Sequence, residues 1–183
     1  MTKKFIELDS KLIEDYLETR RDPIVCSIEP GMYSGYFDWA ECSRPTCVRP
    51  YVKLCLIEVV TVHAELHSVS QKLLASVLPK VIDGLGEEFA RLLGAVKKFS
   101  KSGGLQARIE LLALRECTAL YNSPRSEQLF DECLQLLPPV TGNGYTVLRN
   151  NFLRIFQNHK ITSNQDLMID NAWSRFYQNS VKI

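Results

Sequence analysis

Four residues have the types and spacing to bind a metal: Cys42-x4-Cys47 and His63-x3-His67. Thiolate and imidazole are the usual ligands of tetrahedral zinc, and two of each make the donor set of a zinc finger. On a helix, His63 and His67 would share one face, a turn apart. The spacing argues against ligation. Fifteen residues separate Cys47 from His63, and Pro45 and Pro50 would fall in the β-hairpin such a finger needs. The plain reading puts Cys55 and His63 on a buried stripe and makes Cys42, Cys47 and His67 incidental. No metal is assigned.

Other chemistry fares no better. A cysteine nucleophile needs a base and a depressed pKa. Cys117 and Cys133 fall on expected helices among apolar neighbours, where a thiol acts as a small hydrophobe. Cys26 precedes no catalytic pattern. Gly84-x-Gly86 is mid-helix and Gly103-Gly104 reads as a helix stop, so neither follows a strand to cradle phosphate. The acid pairs Glu14-Asp15, Glu87-Glu88 and Asp131-Glu132 occupy expected solvent faces. No catalytic residue is assigned, no cofactor is expected, and the chain reads as a non-enzyme.

Composition narrows the class further. In 183 residues, 22 bases balance 21 acids to leave a net charge of +1, too little to hold nucleic acid by charge alone. Hydrophobic residues make up 45% and charged residues 23%, which is a globular composition. No apolar run approaches the roughly 18–20 residues that cross a bilayer, and the N-terminus lacks a signal peptide's apolar stretch. Six cysteines set among hydrophobes suit a reduced, cytoplasmic setting.

The elements follow a period of 3.6. Phe5, Leu8, Leu12, Ile13, Tyr16 and Leu17 form one apolar stripe, after which Asp22-Pro23 should turn the chain out of helix. Residues 23–28 are the one stretch with any strand character. Residues 24–46, rich in Pro, Gly and aromatics, read as a long packed connection. Two functions fit its Tyr33, Tyr36, Phe37 and Trp39: closing the bundle by packing over helix ends, or presenting a partner-binding surface.

A second helix is expected from about 48 or 51 to 66, with Val52, Leu56, Val59, Val60 and His63 on one side. A third covers 69–99, broken or kinked at Pro79. Ser100 to Gly104 reads as its stop. Residues 105–121 make the strongest helix, with a stripe of Leu105, Ile109, Leu112, Ala113 and Glu116 so wide that burial on two sides is implied. Ser123-Pro124 should cap a helix to about 137, and Pro138-Pro139 end it. Helices over 145–159 and from a capping box at Ser163 complete the reading. The fold class is all-α, one antiparallel helical bundle of six or seven helices spanning 1–183.

Lys97, Lys98 and Lys101, expected at a helix C-terminus, could contact anionic lipid. Arg149, Arg154, Lys160, Arg175 and Lys182, against Asp166 and Asp170, make the last 39 residues basic as well. A peripheral lipid-binding module is the alternative to a plain solvated face.

Residues 10–39 (SKLIEDYLETRRDPIVCSIEPGMYSGYFDW) and 105–116 (LQARIELLALRE) carry a resemblance. Over about 5–137 the chain resembles the C-terminal region of the Ral-binding second component of the exocyst. The resemblance implies a part of a longer subunit, at one end of a rod of stacked helical bundles. It implies a role in an eight-subunit complex that tethers secretory vesicles at the plasma membrane before SNARE-mediated fusion. Other exocyst subunits would be the partners. Ral binding in this family belongs to an N-terminal immunoglobulin-like domain, so Ral is not expected on this chain.

Overall fold

Leu17, Ile24, Ile28 and Met32 recur at spacings of seven and four, which is one face of a single helix. All four are buried. The computed structural model describes residues 2–140, 142–144, 146, 147, 150 and 154. In it the first helix, α1, runs over Thr2–Met32 without leaving helix at Asp22-Pro23. Pro23 and Pro30 lie inside it, and the strand character of 23–28 is not realised. The local bias of an X-Pro pair loses because Ile24, Ile28 and Met32 gain more by burial, each worth about 1.5–3 kcal/mol.

The long connection is therefore shorter than expected, covering residues 33–49. Helix α2 follows over Pro50–Val69, and Ser70 alone separates it from α3, Gln71–Ala95. Ser70 caps α3 by accepting from the Lys72 amide at 3.2 Å. The break or restart expected at Pro79 does not occur: α3 is one helix through it, with Leu74, Val77, Leu78, Val81, Ile82 and Leu85 buried on both sides of the proline.

Ser100 to Gly104 is likewise the reverse of a stop. Ser100 caps the N-terminus of α4, Lys101–Cys117, by accepting from the Gly103 amide at 3.0 Å. Lys101 thus sits in a first turn, where the helix dipole does not favour a cation. Helix α5 covers Pro124–Leu136, and its Ser123 cap with Pro124 at N1 is as the sequence indicates. Among the described residues there are five helices and no strand. Of the helix expected over 145–159, positions 146, 147, 150 and 154 are described and helical; the one after Ser163 lies outside the described residues.

Cross-helix contacts fix the directions. Gly31 lies against Tyr51 and Tyr16 bonds Glu65, so α1 and α2 are antiparallel. Gly84 packs on Arg21 while Arg91 meets Glu29, so α3 runs with α1. Asp83 pairs with Ser123 and Gly86 packs on Leu129, which sets α5 alongside α3 in the same sense. Successive helices therefore alternate up and down around one apolar core. As its wide stripe implied, α4 is central: every residue from Gln106 to Leu114 is buried.

Candidate functional site

Chemistry-bearing side chains gather at the end of the bundle where α1, α3 and α5 finish and α2 and α4 begin. Arg49, the residue before α2, lies beneath the 33–49 connection. Its guanidinium carbon is 3.7 Å from the Phe37 ring centre, 4.6 Å from that of Trp39 and 4.9 Å from that of Tyr51. It donates through Nε and Nη2 to the two oxygens of Glu110 at 2.7 and 3.0 Å, and through Nη1 to the Met32 carbonyl at 2.7 Å. Tyr51 donates to Glu110 at 2.7 Å. Gln106 donates to Glu110 at 2.6 Å and to the Cys47 carbonyl at 3.1 Å.

Burial works against the Arg49 cation, but its bonds to Glu110 outweigh that and hold its pKa above the ordinary value. Burial, with Glu110 beside it, pushes the Tyr51 hydroxyl well up, so it stays a donor. The carboxylate accepts from donors on α2, α4 and the connection, and the guanidinium reaches back to α1. Such a cluster is a fastener: its polar atoms are spent on one another and on the Met32 and Cys47 carbonyls.

The four aromatic residues divide. Trp39 is buried, edge-on to Phe37 at 4.9 Å and to Phe99 at 5.6 Å, and Phe37 is half-buried over Arg49. Both take part in the packing that closes the bundle, the first of the two functions expected of the connection. Tyr33 and Tyr36 are exposed. Gly35 and Tyr36 both adopt left-handed backbone, φ 70° and 56°, and Tyr36 projects fully into solvent. A bulky residue in that region is strained.

Lys97 and Lys98 follow the end of α3 and are exposed, as is Lys101. Lys97 and Lys98 line a shallow groove whose other wall is Tyr33, Phe37 and Ala40. Arg154 donates to the Thr46 carbonyl at 3.3 Å; the other four bases of the C-terminal stretch lie outside the described residues.

The cysteine and histidine pairs are not brought together. Cys42 sits 4.0 Å from Ser100 and Cys47 beside Gln106, both at the closed end. His63 lies twelve residues along α2 from Tyr51, about 18 Å away by helical rise, where it bonds Tyr121 at 2.8 Å and stacks on His67. Burial raises the Cys55 and Cys133 thiols to about 11 and about 12, the wrong direction for a nucleophile. Of the acid pairs, Glu88 bonds Arg91 and Asp131 bonds Arg115.

Two features escaped the sequence reading. Glu110, not Glu116, is the acid inside the core: it is fully buried, and Glu116 half-buried. A lone acid within a helix buried on two sides was the available signal. Second, Val60 faces outward at 65% exposure, together with Leu54 and Ile57 at 60% and 58%. The inner face of α2 is instead Tyr51, Val52, Cys55, Val59, Val62 and Leu66. Its helix is apolar on both faces.

With a polar fastener inside and an apolar helix face outside, the described residues form an all-α helical bundle. The family model described as Exocyst complex component Sec5 matches residues 1–169, and this chain belongs to that family. It is similar to Exocyst complex component 2 of Homo sapiens, 45% identical over 151 residues, 82% of this chain and 16% of that protein. Exocyst complex component 2 of Mus musculus is 46% identical over 132 residues, 72% of this chain and 14% of that protein. Its namesake in Drosophila melanogaster is 35% identical over 137 residues, 74% of this chain and 15% of that protein. The chain thus spans about a sixth of the length of these relatives. The family match also reaches past residue 137, where the resemblance in the sequence was placed. No solved structure matches it.

Proposed function

We propose that this chain is a non-catalytic interaction module of the exocyst, working inside a longer subunit at one end of a helical rod. In this reading it forms one domain, and helps hold secretory vesicles at the plasma membrane before SNARE-mediated fusion. Its setting is the cytoplasm, with peripheral recruitment to sites of exocytosis. Its partners are other exocyst subunits rather than nucleic acid, and Ral is not expected to bind it.

The outward face of α2 is the observation that carries this reading. Leu54, Ile57 and Val60 repeat at three-residue intervals, all more than half exposed, on a helix whose opposite face is already in the core. A rigid helix offering a row of aliphatic side chains suits an amphipathic helix of a neighbouring subunit, because the side chains are held in place before binding. Family membership supplies the class of partner.

Leu54→Asp with Ile57→Asp tests it. Both positions are exposed, so circular dichroism should show unchanged helix content. Capture of other exocyst subunits by the double variant should fall at least tenfold. Capture equal to wild type would remove α2 as the contact. Undiminished assembly of a full subunit lacking this chain's residues would remove the docking role altogether.

A further inference from the structure

Among the described side chains, the cations outside the core are treated in two ways. Arg20, Arg21, Arg49, Arg91, Arg115 and Arg125 each meet a carboxylate. At the α3–α4 corner, Arg44, Lys97, Lys98, Lys101 and Arg154 are exposed and make no ion pair among the described residues. Lys11, Lys53, Lys72 and Lys80 are exposed too, but they are spread along α1, α2 and α3.

The corner cluster comes from separate parts of the chain. Arg44 and Lys101 line one shallow groove, Lys97 and Lys98 a second. Arg154 is tied to the Thr46 carbonyl, two residues from Arg44. Ser100, between the lysine positions, binds the Trp39 carbonyl through its amide at 3.0 Å and its hydroxyl at 3.1 Å, which pins the 33–49 connection to this corner. The acids on the same segments are Asp38, in the second groove, and exposed Glu41. Five bases against two acids leave an excess of three positive charges in a molecule whose net charge is +1.

Tyr36 supplies an independent observation. Its backbone is left-handed, where a tyrosine is strained, and its ring is fully exposed. Neither feature serves the core. Tyrosine beside lysine is the pairing that sits at a bilayer's headgroup level, with the ring in the interface and the cations on phosphate.

We propose that the α3–α4 corner is a peripheral docking surface for an anionic lipid bilayer, with the five bases against headgroup phosphates and Tyr36 at the interface. The geometry favours a membrane over an acidic protein segment. The bases lie around an end of the bundle on two grooves and a loop, not in a row along one groove, and Tyr36 projects outward with nothing against it. A broad charged surface can meet bases on separate grooves; one extended peptide follows a single groove. The surface shares no residue with the outer face of α2, so either can fail without the other.

Sedimentation of the 183-residue chain with vesicles is the test. It should pellet with phosphatidylcholine–phosphatidylserine vesicles, not with phosphatidylcholine alone, and release as salt rises. Replacing Lys97, Lys98 and Lys101 by alanine should weaken partitioning about fivefold per base. The triple alanine variant at Lys11, Lys72 and Lys80 has the same net charge and should stay within about twofold of wild type. Tyr36→Ala should weaken binding with its salt dependence unchanged. No pelleting at low salt overturns the proposal, as does equal loss in the two triple variants. Tighter binding to soluble polyglutamate than to the vesicles would replace the membrane with an acidic protein partner. All seven positions are exposed, so circular dichroism should report unchanged helix in every variant.

Discussion

At the end where α1, α3 and α5 finish, the 33–49 connection folds over the helix termini, and a half-buried arginine, a buried carboxylate, a glutamine, a tyrosine and a tryptophan fasten it. At the opposite end the α2–α3 junction is a single residue, Ser70, and α1 runs on past it. Residues 7–12 of α1 are exposed throughout, and Ile13 is the first half-buried apolar residue among the described side chains. What crosses helices at this end includes the Arg20–Glu65 pair, Tyr16 on Glu65, His63 on Tyr121, Ser123 on Asp83, and Arg115 on Glu127 and Asp131. One end is closed around a fully buried carboxylate whose donors must all be satisfied together; at the other, the acids Glu65, Glu127 and Asp131 reach water. The two should therefore respond very differently to the loss of one side chain.

Glu110→Ala should show the largest effect. It strips the carboxylate partner from Arg49, whose side chain is 15% exposed, leaves Tyr51 without its acceptor, and leaves Gln106 with the Cys47 carbonyl. An uncompensated buried charge costs about 3–5 kcal/mol. Urea denaturation should report a loss of that size. Replacing both partners, as Arg49→Met with Glu110→Leu, should recover most of it, because the charge to be compensated is then gone. A loss under 1 kcal/mol in the single variant would mean that the closed end is held by its aromatics instead.

Gly103→Ala comes next. A Cβ there would lie 2.0 Å from the Trp39 carbonyl oxygen, where the connection crosses the first turn of α4. Backbone must move, and the Ser100 bonds to Trp39 move with it, for a loss of about 1–3 kcal/mol. Thermal melts should show it, and in a Trp173→Phe background, where Trp39 is the one tryptophan, a drop in fluorescence anisotropy or a shifted emission would mark Trp39 as the disturbed group. An unchanged emission spectrum would put the strain elsewhere.

How much of this contrast the sequence carries depends on the range of the interaction. Period 3.6 placed α2 and α5 closely and found α4 four residues out of place, because amphipathic stripes and the Ser123-Pro124 cap are local. Proline and glycine misled where tertiary burial reversed a local preference. Pro23 sits inside α1 because Ile24, Ile28 and Met32 need one continuous face, and Gly103 opens α4 because a backbone crosses it. The polar fastener was out of reach: Arg49 and Glu110 are 61 residues apart, and nothing in either neighbourhood names the other. The aromatic connection was half legible. Its composition announced packing, but which rings faced in and which out depended on the position of Arg49 beneath them.

The open end offers a pH test. The Tyr16 hydroxyl donates to Glu65 at 3.0 Å, and burial first, then that carboxylate, raises its pKa to about 12. An unfolded tyrosine titrates near 10, so the fold favours the neutral phenol. The stabilisation is complete below pH 10 and is lost as pH rises through about 12. Because the ring is partly in water, its share is about 1 kcal/mol. Tyr16→Phe should therefore lose that advantage of the wild type at neutral pH and match it near pH 12. A constant difference across that range would break the assignment.

The smallest effect is expected from Leu8 and Leu12, and it is the most informative about the contrast. Both are more than half exposed, at 54% and 59%, on the turns of α1 that overrun the α2–α3 junction. Exposed substitutions away from any specific contact usually change stability by no more than about 0.5 kcal/mol. Leu8→Ser with Leu12→Ser should therefore leave the urea midpoint of the isolated chain unchanged while reducing helix content only in the first turns of α1. Placed in a full-length subunit, the same pair should cost stability if the rod continues across this end, since the leucines would then be covered by the next bundle. An equal, negligible effect in both settings would show that the open end stays open, and that α1 overhangs the bundle for some reason other than joining it to its neighbour.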